Sequence, residues 1–356
     1  MAPTTPKRIS QTQIANELGY SQALVSMVLN SRKQGISEKA YQRIWDYATT
    51  HGYSPRGMSI DSVKEKSDST TIGYILRSPL KLAKKTNFFN HVHQGLHDYL
   101  DNYNIKTVFL GAEDNIDIDQ LPKLEIFNSS VKGVAILGEV QPKFLEGIRK
   151  IGLPIVYISS RATGKCHSVL ANEAESASIL VDHLVELGHT RFAWVGGDKA
   201  LGRHKDRHSG VINSLEGHGL TIDPRFDVCL QSANRMVGSE AAQIIIDAAQ
   251  AYPPTAWICS NGLMARGALS HLFQNGYRVP RDISVTAIDM TNVCIEEKPM
   301  ITCASAAGED MGSEAGRLLI DSTEGHVKAL IDITLPSKFR DLDSTGPAAT
   351  VALTDK

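Results

Sequence analysis

Several things that would classify this 356-residue chain at once are missing from it. Its five cysteines, Cys166, Cys229, Cys259, Cys294 and Cys303, are scattered, odd in number and free of CxxC spacing. That pattern argues against a disulfide frame and a zinc site, and for reduced thiols in a cytoplasm. No run of about 18 apolar residues occurs, so no membrane span is expected. The first residues are polar and lack an apolar signal core, so no secretory leader is expected either. GxSxG, HExxH, the phosphate-binding P-loop and GxGxxG are all absent, which leaves no motif for an enzyme and none for a cofactor. His204 and His208 flank Lys205 and Arg207 without a placed nucleophile, and the run reads as a solvated charged loop. The net charge of -2 is small. It is unevenly placed, with nine Lys/Arg against five Asp/Glu in residues 1–66 and 28 against 34 in the rest. A basic head on an acidic body suits a head that touches phosphates.

The chain has ordinary globular composition, 42% hydrophobic and 21% charged, and is long enough for two or three compact units. Its most informative stretch is Gln11 to Asn30, QTQIANELGYSQALVSMVLN. Ile14, Ala15 and Leu18, then Leu24, Val25, Val28 and Leu29, recur at the three- and four-residue steps of a helix face. Between the two halves Gly19 can take the left-handed conformation that turns the chain, and Ser21 suits the N-cap of the second helix. Gln22, Ser26 and Asn30 give that helix a polar outer face. This describes either a helix-turn-helix, whose second helix enters a major groove, or an ordinary antiparallel helix pair in a core. A polar, basic loop carrying Arg32 and Lys33 follows. Ser37 then caps a third helix with Ala40, Tyr41, Ile44, Trp45, Tyr47 and Ala48 inward, and Gly52 ends it. Residues 54–70 are polar and rich in small side chains, the composition of a linker.

From Thr70 the pattern becomes alternating strand and helix. TIGYILR, IKTVFLG, VKGVAILG and GLPIVYIS are strands, with helices over Phe88–Tyr103 and Pro142–Ile151 between them. A second set starts near Ser168. It has helices Ala174–Leu187, Ser209–His218, Gly238–Ala249 and Gly262–Gly276, and strands FAWVGG, Phe226–Leu230, AWICS and ISVTAID. Such repetition means parallel sheets, and two sets of similar rhythm suggest two α/β subdomains facing each other across a cleft. Helix Asp310–Asp321 and strand IDITLP close the unit. Residues after about Thr345 read as loose.

IANELGYSQALVSMVLN, HGYSPRG, VDHLVELGHTRFAWVGG, RVPRDISVTAID and the late DSTGP, in this order, resemble the lac repressor/galactose repressor (LacI/GalR) family of bacterial regulators. The resemblance implies a small all-α helix-turn-helix head on an α/β core of two parallel-sheet subdomains, folded like a periplasmic binding protein. The corresponding division is a DNA-binding head over residues 1–57 and a hinge over 58–70. A core over 71–340 follows, then a loose tail over 341–356. Within the core, residues 71–167 and 295–322 form one subdomain, and 168–294 and 323–340 the other. Such proteins act as cytoplasmic homodimers on pseudo-palindromic double-stranded operators, with a sugar-like small molecule changing operator affinity. A solute-binding protein without regulatory role is the alternative, and it leaves the head unexplained.

By the same resemblance, base-reading positions fall on Gln22, Ala23 and Met27. Gln suits an adenine edge, and Ala and Met suit a thymine methyl. Phosphate-contacting positions fall on Ser10, Ser21, Ser26 and Asn30, with Arg56, after Pro55, also able to reach a phosphate. The family's Arg is absent at Met27, and its minor-groove Leu is absent at Ser62, where Val63 or Met58 would have to substitute. Effector contacts fall on Asn87, Phe88, Phe89, Arg207, Asn261 and Asp289, at strand-to-helix loops where such sheets bind ligands. Four of them have a plainer alternative: a surface ion pair for Arg207, a helix cap for Asp289, core packing for the two Phe. Gly262, Ala171 and Ala233-Asn234 stand where acids and a stacking ring are usual, so a simple hexose is less secure.

Overall fold

Parallel strands buried on both faces organise the larger part of the chain, and a helical cluster forms the smaller. The computed structural model describes residues 10–29, 36–50, 70–77, 88–119, 130–249 and 253–349. Asn30, the loop around Arg32 and Lys33, Arg56, the hinge residues Met58, Ser62 and Val63, and Asn87 lie outside them. The chain separates into two units, residues 1–67 and 68–356.

In the first unit, helices α1 (Gln11–Leu18), α2 (Gln22–Leu29) and α3 (Glu38–Thr50) share a core of Ile14, Ala15, Val25, Val28, Ile44 and Ala48. Each helix start is fixed by a serine. Ser10 closes a capping box with Gln13, Ser21 accepts from the Leu24 N–H at 3.2 Å, and Ser37 accepts from the Ala40 N–H at 3.3 Å. These bonds satisfy backbone donors that a helix's first turn leaves open. Gly19 ends α1 at φ 72°, a conformation that costs glycine nothing.

The second unit holds two six-stranded sheets. The first contains β1 (Thr71–Leu76), β2 (Lys106–Ala112), β3 (Val131–Leu137), β4 (Ile155–Ile158), β5 (His167–Ala171) and β11 (Asp332–Leu335). Their order is β11-β5-β4-β3-β1-β2, all parallel. Helices α4 (Phe88–Asp101), α5 (Pro142–Arg149) and α10 (Gly308–Thr323) cover it. Strand alternation decides which residue meets which helix. Ile72, Tyr74, Leu76, Ala135, Leu137, Val156 and Ile158 pack toward α4 and α10. Ile75, Val134, Ile136, Ile155 and Tyr157 pack toward Phe144, Leu145 and Ile148 of α5. Burial on both faces is why these strands read as continuous apolar runs.

The other sheet holds β6 (Phe192–Gly196), β7 (Asp227–Cys229), β8 (Ala256–Cys259), β9 (Ser284–Ala287), β10 (Thr302–Ser305) and β12 (Lys338–Arg340). Its order is β12-β10-β9-β8-β6-β7, with only β12 antiparallel among the described pairs. Helices α6 (Glu173–Glu186), α7 (Gly202–Gly217), α8 (Arg235–Ala248) and α9 (Gly262–Gln274) enclose a core built on Trp194, Trp257 and Phe192.

Three assignments are corrected by this topology. Strand β5 and strand β11 belong to the first sheet, and β10 to the second. The expected subdomain borders at residues 167/168, 294/295 and 322/323 therefore move. The chain passes between lobes at Asn172, at residues 306–307 and at residues 336–337. The reason is local: β4 and β5 are adjacent parallel strands joined through residues 159–166 without a helix, which disguised β5 as the start of the next repeat. The expected loose tail is also docked as far as residue 349. Ser344 is fully buried, its carbonyl accepts from the Val285 N–H at 2.9 Å, and the Ala348 N–H donates to the Leu187 carbonyl at 2.8 Å. The DSTGP sequence thus seals the second sheet. Finally, the run GRHKDRH is the first half of α7 and not a loop.

Candidate functional site

The head presents a polar, partly apolar helix surface. Gln22 and Ala23 are exposed at the start of α2, and Met27 is 37% exposed one turn on. A thioether with over a third of its area in water on an eight-residue helix is available to an apolar contact. Ser26 is half-buried. Ser10 and Ser21 are exposed and use their oxygens as cap acceptors. Each hydroxyl proton remains able to donate to a phosphate, so capping and backbone contact coexist.

In the core, the lobes enclose a cleft of about 800 Å3. Phe88, Phe89, Arg207, Asn261 and Asp289 all line it. The polar three of them, Arg207, Asn261 and Asp289, make their hydrogen bonds with neighbouring protein groups. Arg207 is 2% exposed and grips Glu173, Nε to Oε2 at 2.6 Å and Nη2 to Oε1 at 3.3 Å. Its Nη1 donates to the Ser260 carbonyl. It is therefore a buried pair member and not part of a surface ion pair. Asn261 caps α9 by accepting from the Met264 N–H at 2.8 Å, and donates to the Ala233 carbonyl at 3.2 Å. Asp289 accepts from the N–H groups of Gly262, Met290 and Thr291, each at 2.7 Å. The carboxylate thus stitches two loops at strand ends, which holds both in place at the cleft floor.

Four residues at or beside the cleft, Glu139, Glu173, Arg203 and His204, had no binding role assigned beforehand. Glu173 also accepts from Arg203 Nε at 2.7 Å, so one carboxylate serves two guanidinium groups. Burial pushes its carboxyl up, but Arg207 and Arg203 together outweigh burial and hold it below the usual range. Burial and neighbouring Arg207 bring Arg203 down to about 10. The same burial, with Arg207 and Arg203 nearby, takes His204 down to about 4, so this imidazole is neutral at neutral pH. Arg203 lies over the Phe88 ring at 4.1 Å, a cation–π contact from one lobe to the other. A second bridge runs from Glu139, after β3, whose Oε2 accepts the Gly202 N–H at 2.9 Å. That places a negative charge at the positive end of α7. An available signal was the i, i+4 spacing of Arg203 and Arg207, which puts both on one helix face. Nothing local tied Glu173 or Glu139 to them.

Away from the cleft, His208, Asp227 and Cys229 bring possible ligand atoms within 4.8 Å of one another.

The periplasmic binding protein-like domain family matches residues 181–345. The repressor CytR of Escherichia coli K12 is 27% identical over 319 residues, 88% of this chain and 89% of CytR. The probable repressor ExuR of Bacillus subtilis is 26% identical over 280 residues, 78% of this chain and 80% of ExuR. In sequence the chain is thus similar to repressors of the LacI/GalR kind. Solved structures agree on the fold. The transcriptional regulator CelR in complex with cellobiose superposes with a TM-score of 0.68 at 22% identity, covering 95% of this chain and all of that one. The lac repressor dimer bound to operator and an anti-inducer gives 0.66 at 18% identity, over 96% of this chain and all of that one. That likeness covers the two lobes of the larger unit and the three-helix unit before them. Among the described residues no helix is long and apolar enough to cross a membrane.

Proposed function

We propose that this chain is a sequence-specific transcriptional repressor that binds a pseudo-palindromic operator as a homodimer. Its operator affinity is set by a small metabolite, a sugar or a related compound, held between the two lobes of the core. One observation carries this reading: a helix pair turned at Gly19, with a serine at each helix start, and a two-lobed cleft stand in one chain, and repressor relatives match 88% of it. A solute-binding protein has no use for the head. No catalytic step is assigned, and the protein works in the cytoplasm beside its DNA.

In this reading Gln22, Ala23 and Met27 meet base edges, while Ser10, Ser21 and Ser26, with Asn30 and Arg56, meet the backbone. Two such helices occupy successive major grooves about 34 Å apart. Residues 1–57 act as the head, 58–70 as the hinge and the remainder as the effector core. Arg207, Asn261 and Asp289 position the cleft's loops as much as they touch ligand. Phe88 under Arg203, with Phe89, offers the stacking surface, and Asn87 is assigned an effector contact by position in the sequence alone. The Phe88–Phe89 edge-to-face pair at 5.3 Å fixes that surface.

Fluorescence anisotropy with duplexes from the DNA upstream of the protein's own gene tests the main claim. Binding is expected, with affinity falling steeply as salt rises because Lys and Arg release counterions. Deleting residues 1–57 is expected to abolish it. Salt-insensitive binding, or binding retained by the deletion, overturns the proposal.

A further inference from the structure

We propose that His208, Asp227 and Cys229 form a binding site for a divalent metal of zinc type, outside the effector cleft. His208 projects from α7, and the other two come from alternate residues of β7, so both point to one face of that edge strand. The three ligand atoms lie within 4.8 Å of one another. His208 Nε2 stands 2.9 Å and 3.0 Å from the two oxygens of Asp227, and Cys229 Sγ is 3.9 Å from Oδ1. An imidazole nitrogen, a carboxylate oxygen and a thiolate converging in this way are a donor set for Zn2+, which takes three protein ligands and keeps a fourth position for water. Softer than a carboxylate cluster, the set disfavours Mg2+ and Ca2+.

A second observation points the same way. Trp194, 1% exposed, has its indole N–H buried with no hydrogen-bond partner among the described residues. Such a buried, unsatisfied donor marks a place where a further group can be held. Gly196 makes the arrangement possible, because a Cβ there would sit 2.0 Å from the indole nitrogen. Trp194 also meets His208 edge-on at 5.5 Å, giving the site a dry wall. The buried indole beside a half-buried His–Asp pair keeps water from the ligands, as the outer shell of a metal site does.

Charge balance is consistent with a dication. Thiolate and carboxylate supply two negative charges, and the imidazole enters neutral. The ligand is the thiolate, so binding releases the Cys229 proton to solvent. The Lys199 ammonium, 3.6 Å from Asp227 Oδ2 and 44% exposed, occupies the outer side and can swing into water when the metal enters. The site's location gives it a consequence. His208 follows Arg207 on α7, and Gln231 to Asn234 of the cleft wall begin two residues after Cys229. Metal binding would tie that wall to the helix carrying Arg203 and Arg207.

Cobalt titration of the full chain, stripped with chelator and kept reduced, tests the assignment. One equivalent of Co2+ is expected to give a thiolate-to-cobalt charge-transfer band with intense visible bands of four-coordinate cobalt, both displaced by Zn2+. Cys229→Ser is expected to lose the charge-transfer band. His208→Gln and Asp227→Asn are expected to weaken Zn2+, measured against a chromophoric chelator, by at least about tenfold, since even outer-shell changes cost that much. Circular dichroism establishes that each variant is folded. A spectrum that stays that of hydrated cobalt overturns the proposal. So does a charge-transfer band surviving in folded Cys229→Ser, which would assign the metal to another cysteine.

Discussion

Glu173 is a single carboxylate answering two guanidinium groups, and much of the cleft's chemistry follows from that sharing. Removing Arg207 leaves the Ser260 carbonyl without its donor and halves the charge around a buried acid. Breaking one side of such a pair costs roughly 3–5 kcal/mol. Arg207→Ala should therefore lower unfolding free energy by that order in a denaturant titration, besides weakening any cleft ligand. A loss below about 1 kcal/mol, the ceiling for an exposed pair, would show that the pair is effectively solvated. The pH dependence separates two residues. His204 has its folded value lowered to about 4, against an unfolded value of about 6.5. The unfolded chain takes up this proton first, so the stability is present above about pH 6.5 and is lost as pH falls toward 4. Glu173 is also held low, so its contribution is present above the ordinary carboxylate range and is lost as pH falls through its folded value, at more acid pH. His204→Gln should flatten thermal stability between pH 6.5 and 4, checked by calorimetry across that range, while Glu173→Gln should act only below it. Residues of this kind are the hardest to read from sequence. Arg207, Asn261 and Asp289 stand at strand and helix ends where a pattern can find them. Glu139 and Glu173 matter through partners 63 and 34 positions away, and no spacing rule reaches that far.

At the scale of elements, the apolar runs of β1, β3, β4, β6, β8 and β9 were legible because both faces of a parallel strand are buried. So was the helix-turn-helix, whose serine caps and Gly19 all act locally. The first half of α7 was not: Gly202 to His208 lacks an apolar stripe and is held by Glu139 at its end and Glu173 at its side. Strands β10 and β12 were missed because they are short and draw their meaning from the sheet edge they join. Helix pairing makes a sharper test. A Cβ on Gly312 of α10 would lie 2.0 Å from the Val92 carbonyl oxygen of α4, and one on Gly95 would lie 1.9 Å from that of Glu309. Backbone cannot step aside as a flexible side chain can. Gly312→Ala should cost about 1–3 kcal/mol or more, through forced separation of the helices. Gly217, in the last turn of α7, meets nothing within 4 Å. Gly217→Ala should be neutral, or stabilising by up to about 1 kcal/mol. Paired thermal melts decide it; equal effects would mean that the α4–α10 contact is looser than the coordinates have it.

For the whole molecule, function depends on how the lobes of the core are held. Glu139 at the end of α7 and Phe88 beneath Arg203 join them across the cleft mouth. A carboxylate at a helix N-terminus is worth about 0.3–2 kcal/mol, depending on burial. Glu139→Ala should shift the core toward an open form, seen as a larger radius of gyration in small-angle scattering, and should weaken effector control of operator release. An unchanged scattering profile would remove the latch. The two-lobed plan was legible in the repeating rhythm of strand and helix. Which strand belonged to which lobe was not, because the chain changes lobe at Asn172, at 306–307 and at 336–337. Those three crossings also bear on how the protein is made. A nascent chain emerging from the ribosome reaches residue 300 with neither sheet complete. The first still waits for α10 and β11, the second for β10, β12 and the seal around Ser344. Half-finished sheets present open edges to other chains. Early termination before β11 would therefore damage both lobes at once, where a tandem arrangement would have spared the first.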